Sequence, residues 1–259
     1  MRFFPKSVGK PRTDKPVEVA QEADPCATYF IRVPKEDIKP VLSDAWRDPS
    51  VPRRQYETCT GRELDNYRNG KPVEPFDVLV TILKEGVPDL DQKSLLEIGC
   101  SSGYYCEALK IKGIKAEYHG CDYSESFIAF AKTLFPEIDF QVQDARALTY
   151  ESGRFDIVVS GCCLLHIMEY EEVIQETARV TKDFVVFHRT PVLHTRETSY
   201  YMKTAYEVEM FEIHFNEREL LRLLREQGLK VLDIITFSAA YDEKIQDFYA
   251  YKTYLCQKN

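Results

Sequence analysis

Nowhere in the 259 residues does an uninterrupted apolar run reach the length of a membrane-spanning helix, although 44% of the chain is apolar, as is ordinary for a globular protein. The basic start, MRFFPKSVGKPRTDKP, is not followed by an apolar stretch, so a secretory leader is not expected. Pro5, Pro11 and Pro16, with little apolar periodicity between them, predict a frayed arm instead. Its Arg2, Lys6, Lys10, Arg12 and Lys15 form a local patch fit to touch phosphate. Positive charge is otherwise scarce: 34 Lys and Arg face 42 Asp and Glu, and a net charge of −8 makes a large polyanion a poor default partner. The eight cysteines (Cys26, Cys59, Cys100, Cys106, Cys121, Cys162, Cys163 and Cys256) form no C-x-x-C pair. The spacing of a structural zinc site is therefore missing, and no metal is expected. Several of these thiols lie in apolar strand-like runs, where they pack as small hydrophobes; reduced cysteines in a cytoplasmic protein are the expectation. No internal repeat is present.

What is present, from residue 94 onward, is a regular beat of short apolar runs and helix-like segments. SLLEIG (94–99), AEYHGCD (116–122), IDFQVQD (138–144), FDIVVSG (155–161) and DFVVFHR (183–189) predict five strands. Between them, YYCEALKIKG (104–113) closes on Gly113, SESFIAFAKTLFP (124–136) has Ser124 as N-cap and Pro136 as its stop, and EEVIQETARVT (171–181) repeats at helical spacing. Strands alternating with helices imply a parallel sheet. NERELLRLLREQG (216–228) predicts a last helix, with Asn216 as cap, Glu219 at the capping-box position and Gly228 at its end. KVLDIITF (230–237) and DFYAYKTYLCQ (247–257) follow with no helix between them, so they pair antiparallel. The expected fold is thus α/β: a seven-stranded, mostly parallel, doubly wound sheet ending in an antiparallel hairpin. Residues 94–259 make the principal domain, with a cap insertion at 190–215. Residues 1–93 read as an N-terminal arm and helical cap, containing helix-like pieces such as PKEDIKPVLSDAW and PFDVLVTILKEG.

The first strand is joined to its helix by Glu97-Ile-Gly99-Cys-Ser101-Ser-Gly103, a turn whose small residues let the backbone approach a ligand closely. Three enzyme classes use such turns. The dinucleotide fingerprint G-x-G-x-x-G fails twice, because from Gly99 its second and third glycines fall on Ser101 and Tyr104. The nucleophile elbow G-x-S-x-G is matched literally by Gly99-Cys100-Ser101-Ser102-Gly103, and His166, His188, His194 and His214 offer a triad base. A hydrolase of that kind also needs strands before the elbow and an oxyanion loop, neither of which residues 1–93 supply. The third pattern, E/D-x-G-x-G-x-G, is met at Glu97, Gly99 and Gly103, with Ser101 in place of the middle glycine.

Further residues stand at the ends of the following strands. Asp122, which ends the second, can accept hydrogen bonds from both hydroxyls of a ribose. Asp144-Ala145 ends the third, Arg154-Phe-Asp156-Ile-Val-Val-Ser160-Gly161 forms the fourth, and Leu165-His166 follows it. With the first turn, this set resembles the class I S-adenosylmethionine-dependent methyltransferases over roughly residues 94–189. The likeness extends to 259 through topology, since a final hairpin is that family's usual ending. The resemblance implies S-adenosyl-L-methionine as cofactor and S-adenosyl-L-homocysteine as product. It implies contacts from Glu97, Gly99, Cys100, Ser101, Gly103, Asp122, Tyr123, Asp144, Ala145, Ser160 and Gly161. Asp144 would meet the adenine amino group, Ala145 the ring, and Ser160 and Gly161 the methionine part. The carboxylates at 97, 122 and 144 are expected to converge along one rim of the sheet.

A sulfonium methyl is already activated, so the chain has to position an acceptor, exclude water and, for a hydroxyl acceptor, supply a base. His188 is the first candidate for that base, since it ends the fifth predicted strand; His166 is the second, followed by His194 and His214. Arg189 would bind an anionic acceptor or pair with a surface acid. Gln55, Tyr56 and Arg62 are placed to close over the methionine end. After the fourth strand stands SGCCLLH, in place of an N/D-P-P-Y/F segment or a Pro-Cys nucleophile. A small-molecule methyl acceptor is therefore expected rather than nucleic acid. An RNA or protein methyltransferase, a cofactor-binding protein without catalysis and an NAD-dependent oxidoreductase are the alternatives.

Overall fold

Side chains alternate along the central strands with a period of two, and both of the faces they form are apolar. Leu95, Ile157, Val159, Phe184 and Val186 lie on one face, Leu96, Ile98, Val158, Val185 and Phe187 on the other, and none is more than 6% exposed. A sheet buried on both sides needs a helical layer on each.

The computed structural model describes residues 31–38, 40–242 and 247–259. The basic arm and Cys26 lie outside these residues. In chain order, β1 (Ile31–Val33) leads through 3₁₀ turns at Lys35–Asp37 and Pro40–Arg47 to α1 (Val51–Gln55). A π-helical turn (Tyr56–Thr60), α2 (Gly61–Arg68) and α3 (Glu74–Gly86) come next. Then follow β2 (Ser94–Ile98), α4 (Tyr104–Ile111), β3 (Glu117–Asp122), α5 (Glu125–Leu134), β4 (Asp139–Val142), β5 (Phe155–Gly161), α6 (Tyr170–Val180) and β6 (Thr181–Leu193). The chain ends with β7 (Ser199–Ala205), β8 (Val208–Asn216), α7 (Glu217–Glu226), β9 (Leu229–Asp242) and β10 (Asp247–Lys258). Core residues of α3 and α4 cover one face of the sheet, and those of α6 and α7 the other.

The order across the sheet is β4-β3-β2-β5-β6 with every neighbour parallel, completed by β10 and then β9, both antiparallel. This is the expected seven-stranded doubly wound sheet with its terminal hairpin. The chain runs outward from β2 to β4 and returns for β5, so the order reverses between β2 and β5. Ligands of such sheets bind beyond the strand ends at that reversal.

Two regions depart from the expectation. The insertion at 190–215 is built of strands: residues 190–193 prolong β6, and β7 and β8 form a hairpin whose Val192↔Phe215 and Leu193↔Asn216 partners join it to β6. Its two-residue turn, Tyr206-Glu207, has both φ angles positive (52° and 62°), the geometry of a type I′ hairpin without the usual Asn-Gly signal. β1 pairs antiparallel with β7, which brings the sheet to ten strands. Second, PKEDIKPVLSDAW does not form an α-helix: Pro34 and Pro40, each without a backbone N–H, leave two 3₁₀ turns. PFDVLVTILKEG does form α3, with proline in its first turn.

The helix ends follow local chemistry. Gly113 and Gly228 take the positive φ expected of residues that close a helix. Asn216 caps α7 by accepting from the Glu219 N–H at 3.0 Å. The reciprocal half of the capping box is replaced: Thr198 Oγ1 accepts the Asn216 N–H and donates to Glu219. Ser124 stands before α5 as expected, but its hydroxyl meets Ser126 rather than the backbone. Among the described residues the cysteines are free thiols, no helix is long and apolar enough to cross a membrane, and no cluster of His, Cys, Asp and Glu is arranged to hold a metal ion.

Candidate functional site

The turn after β2 is tightly wound: Gly99, Ser101 and Gly103 have φ of 72°, 53° and 77°. A side chain at Gly99 would put its Cβ 2.5 Å from Cys163, and one at Gly103 would put it 2.6 Å from Phe140, so conformation and space both require glycine there. The N–H groups of Gly99 and Cys100 both donate to Cys121 O, fastening the turn to β3. Ser101, in the place of the middle glycine, holds an αL conformation that costs about 1 kcal/mol for an L-residue. Its hydroxyl donates to Gln55 Oε1 at 2.6 Å, a bond glycine cannot make, and this ties α1 to the turn.

Asp122 ends β3 and faces a cavity of ≈ 410 Å³, within the range of small-molecule sites. Its Oδ2 accepts the Ser101 N–H at 3.0 Å and its Oδ1 the Ser124 N–H at 2.9 Å. Burial pushes the carboxyl up to about 6 against the opposing pull of those N–H groups, so it is charged at neutral pH. Tyr123 lines the same cavity, with the Arg47 guanidinium 4.7 Å from its ring centre. β4 stops at Val142, so Asp144 opens the following turn rather than ending the strand. Its carboxylate faces the cavity and receives Arg146 Nη2 at 2.7 Å, which holds it below its ordinary range.

Gly99, Ser101, Asp122, Tyr123, Asp144, Ala145, Gly161 and His166 share the walls of this one cavity. Other expected residues do not reach it. Glu97 shares the face of Leu95 on β2, is 1% exposed and accepts the Tyr118 hydroxyl; burial raises its carboxyl well above the usual range. The expected convergence of three carboxylates is thus two at the rim and one beneath the turn. Cys100, Gly103 and Ser160 lie behind the cavity wall.

His188 is corrected most clearly. β6 does not end there but continues to Leu193, and the imidazole turns inward, 2.9 Å from Thr253 Oγ1 and edge-on to Tyr105. The register between β6 and β10 explains why. Phe187 pairs with Tyr254 and Thr190 with Lys252, so His188 and Arg189 together oppose Thr253. This bulge, with Arg189 at φ 55°, aims the arginine rather than the histidine into the cavity. His166 does line it: Nδ1 lies 2.8 Å from Phe211 O, the Trp46 ring crosses edge-on at 5.0 Å, and burial lowers the imidazole to about 4. His194 is exposed, and His214 is buried against Glu212. Gln55 reaches the cavity, whereas Tyr56 packs on Phe130 and Arg62 faces solvent.

Sequence reasoning missed the opposite wall, made by Trp46, Tyr104, Lys203, Tyr206 and Tyr251. Behind it Glu212, 1% exposed, receives Lys203 Nζ, the Tyr251 hydroxyl at 3.0 Å and His214 Nε2 at 3.1 Å. Burial alone would raise this carboxyl, yet Lys203 and His214 hold it well below the usual range. The alternation of Glu212 and His214 with Phe211, Ile213 and Phe215 was the strand signal available for this wall.

Residues 96–187 match the methyltransferase domain family. The ubiquinone biosynthesis O-methyltransferase of Coxiella burnetii is 35% identical over 97 residues, which are 36% of this chain and 41% of that protein. The norajmaline N-methyltransferase of Rauvolfia serpentina is 32% identical over 99 residues, 36% of this chain and 34% of that protein. The chain thus spans well under half the length of these curated relatives. In overall structure it is similar to the 1,6-didemethyltoxoflavin-N1-methyltransferase of Burkholderia thailandensis, solved with that compound and S-adenosylhomocysteine. That likeness has a TM-score of 0.56 at 16% identity and covers 89% of this chain and 95% of the other.

Proposed function

We propose that the protein, whose residues 96–187 match the methyltransferase domain family, is a class I methyltransferase that transfers the methyl group of S-adenosyl-L-methionine to a small-molecule acceptor. The observation that carries this reading is Asp122. It is a charged, 8%-exposed carboxylate at the end of a parallel strand, facing the cavity at the sheet's reversal point, with backbone N–H donors on both oxygens. A carboxylate presents about four acceptor positions, enough to add hydroxyl donors to those N–H groups, which suits a ribose diol. The small residues Gly99, Ser101 and Gly161 make the adjoining wall, where the methionine part would lie, and Asp144 and Ala145 make the wall for the adenine. In this reading residues 94–259 are the catalytic unit, and residues 1–93 contribute Trp46 and Gln55 to its cavity.

When bound, the cofactor supplies a methyl group activated by its sulfonium. The chain holds the acceptor in line and keeps water out, which is the task of Trp46, Tyr206 and Tyr251. The His166 Nδ1–H donates to Phe211 O, which fixes the tautomer with an acceptor lone pair on Nε2. That nitrogen orients an acceptor O–H or N–H and takes its proton only as attack develops, because the neutral imidazole is a weak base. The size of the cavity and the acceptors named for the relatives above support a small molecule.

Calorimetric titration of S-adenosylmethionine, S-adenosylhomocysteine and NAD onto the protein and onto Asp122→Ala tests the reading. The first two ligands should bind the wild type and lose affinity in the variant, and a labelled methyl group should be transferred within a panel of small metabolites. Binding of NAD alone, or cofactor affinity indifferent to Asp122, would refute it.

A further inference from the structure

Four cations line the cavity, and three of them already have carboxylates. Arg47 meets Asp44 at 3.2 Å, Arg146 is shared by Asp144 and Glu169, and Lys203 is held by Glu212. Arg189 has no carboxylate within 4.0 Å among the described residues. Its Nε is buried and finds no hydrogen-bond acceptor. A guanidinium stays charged at any accessible pH, and a desolvated charge without a counter-ion is costly to keep. The backbone adds to that cost, because Arg189 occupies the bulge of β6 at φ 55°, where an L-residue is strained. Strain and an uncompensated charge at one residue, directed into a ligand cavity, mean that the counter-ion arrives with the ligand.

We propose that the methyl acceptor carries a carboxylate, bound by the Arg189 guanidinium and set on a planar apolar frame that packs between Trp46, Tyr104 and Tyr251. The inference rests on the methyl-transfer reading and deepens it by naming the acceptor's chemical class. A guanidinium presents its N–H groups in a planar fork that matches a carboxylate edge-on, so it fixes orientation as well as affinity. Arg189 lies on β6, beyond β5 from β3 and from the turn after β4, whose Asp122 and Asp144 face the cofactor end, and shares the cavity wall with Tyr251 of β10. The charge is thus displaced from the cofactor end toward the acceptor side of the cavity. Lys203 adds no second free charge there, since Glu212 neutralises it, so a singly charged acid is the match.

The test uses the full chain saturated with S-adenosylhomocysteine, titrated with benzoate, 3,4-dihydroxybenzoate and indole-3-carboxylate and with the methyl ester of each. At least one acid should bind the wild type better than its ester by about thirtyfold, the scale of a desolvated charge pair. Arg189→Met should erase that preference, and Arg189→Lys should restore part of it. In both variants S-adenosylhomocysteine affinity should change by less than about threefold, which also reports that the variants fold. Equal binding of acid and ester by the wild type, or binding of neither, overturns the proposal. So does an Arg189→Met variant that loses S-adenosylhomocysteine while keeping the acid preference, which would assign the guanidinium to the cofactor's own carboxylate. Failure of the wild type to bind S-adenosylhomocysteine would instead overturn the methyl-transfer reading, and this proposal with it.

Discussion

Replacing Asp122 with asparagine should separate what the site needs from what the fold needs. Burial raises this carboxyl from 3.8 to about 6, although the Ser101 and Ser124 N–H groups both favour its charged form. A carboxyl with a raised folded-state pKa contributes stability that is complete below the unfolded pKa and is lost as pH rises through the folded value. The window here therefore runs from roughly pH 4 to 6. Well above it, ionising Asp122 in place costs the fold about 3 kcal/mol, from a shift of roughly two units at 1.36 kcal/mol each. Asparagine keeps the shape but has one oxygen for N–H donors that now meet two, which adds a pH-independent penalty of about 1–3 kcal/mol. The static difference between the two proteins is thus ambiguous, whereas its pH dependence is not. Integrating the two titrations gives a difference that moves by about 2 kcal/mol in favour of the variant between pH 4.5 and 7.5. Urea unfolding of the ligand-free proteins across that range, with equal m-values, measures it. A difference that stays flat, or that moves toward the wild type, would refute the idea that Asp122 is a desolvated carboxylate held at the expense of stability. The same variant should lose cofactor affinity, since an amide cannot accept hydrogen bonds at both positions.

Gly103→Ala should destabilise the protein by about 2–4 kcal/mol in the same unfolding assay, combining αL strain with a Cβ placed 2.6 Å from Phe140 Cζ. A loss below about 0.5 kcal/mol would mean that the turn has room for a side chain at this position. Ser101→Gly should change stability by less than about 1 kcal/mol, because relief of strain at φ 53° offsets loss of the bond to Gln55. The imidazole of His166 should titrate near pH 4 by nuclear magnetic resonance and be neutral at pH 6. A midpoint near 6.5 would show that burial by Trp46 and the Phe211 strand does not desolvate it.

The parts of the structure that were legible are those where sequence neighbours make the geometry. Leu95-Leu96 and Ile157-Val158-Val159 announce strands buried on both faces, and the Gly99–Gly103 turn and Asp122 sit directly on the strand ends they decorate. Glu97 was misplaced by one pleat: odd positions of β2 share the face of Leu95, covered by α3 and α4, and a motif match does not say which face of the strand carries the acid. His188 was misplaced because a bulge is a relation between two strands, and nothing within DFVVFHR reports that Thr253 stands opposite two residues. The β7–β8 hairpin escaped notice because Tyr206-Glu207 turns at positive φ without glycine, asparagine or aspartate.

That division follows the cavity itself. In the proposed reading its cofactor end is built from consecutive strand–turn units, each complete within about ten residues. Its acceptor end draws Trp46 from a 3₁₀ turn, Arg189 from a bulge, Lys203 and Tyr206 from an added hairpin and Tyr251 from the last strand. These residues meet only because β10 lies beside β6 and because the end of β6 carries β8. Changing the length or turn of the hairpin would move Lys203 and Tyr206 without disturbing Asp122 or the glycine turn. In the proposed methyl transfer the acceptor can therefore change while the donor stays fixed, with specificity set by contacts between segments far apart in the chain.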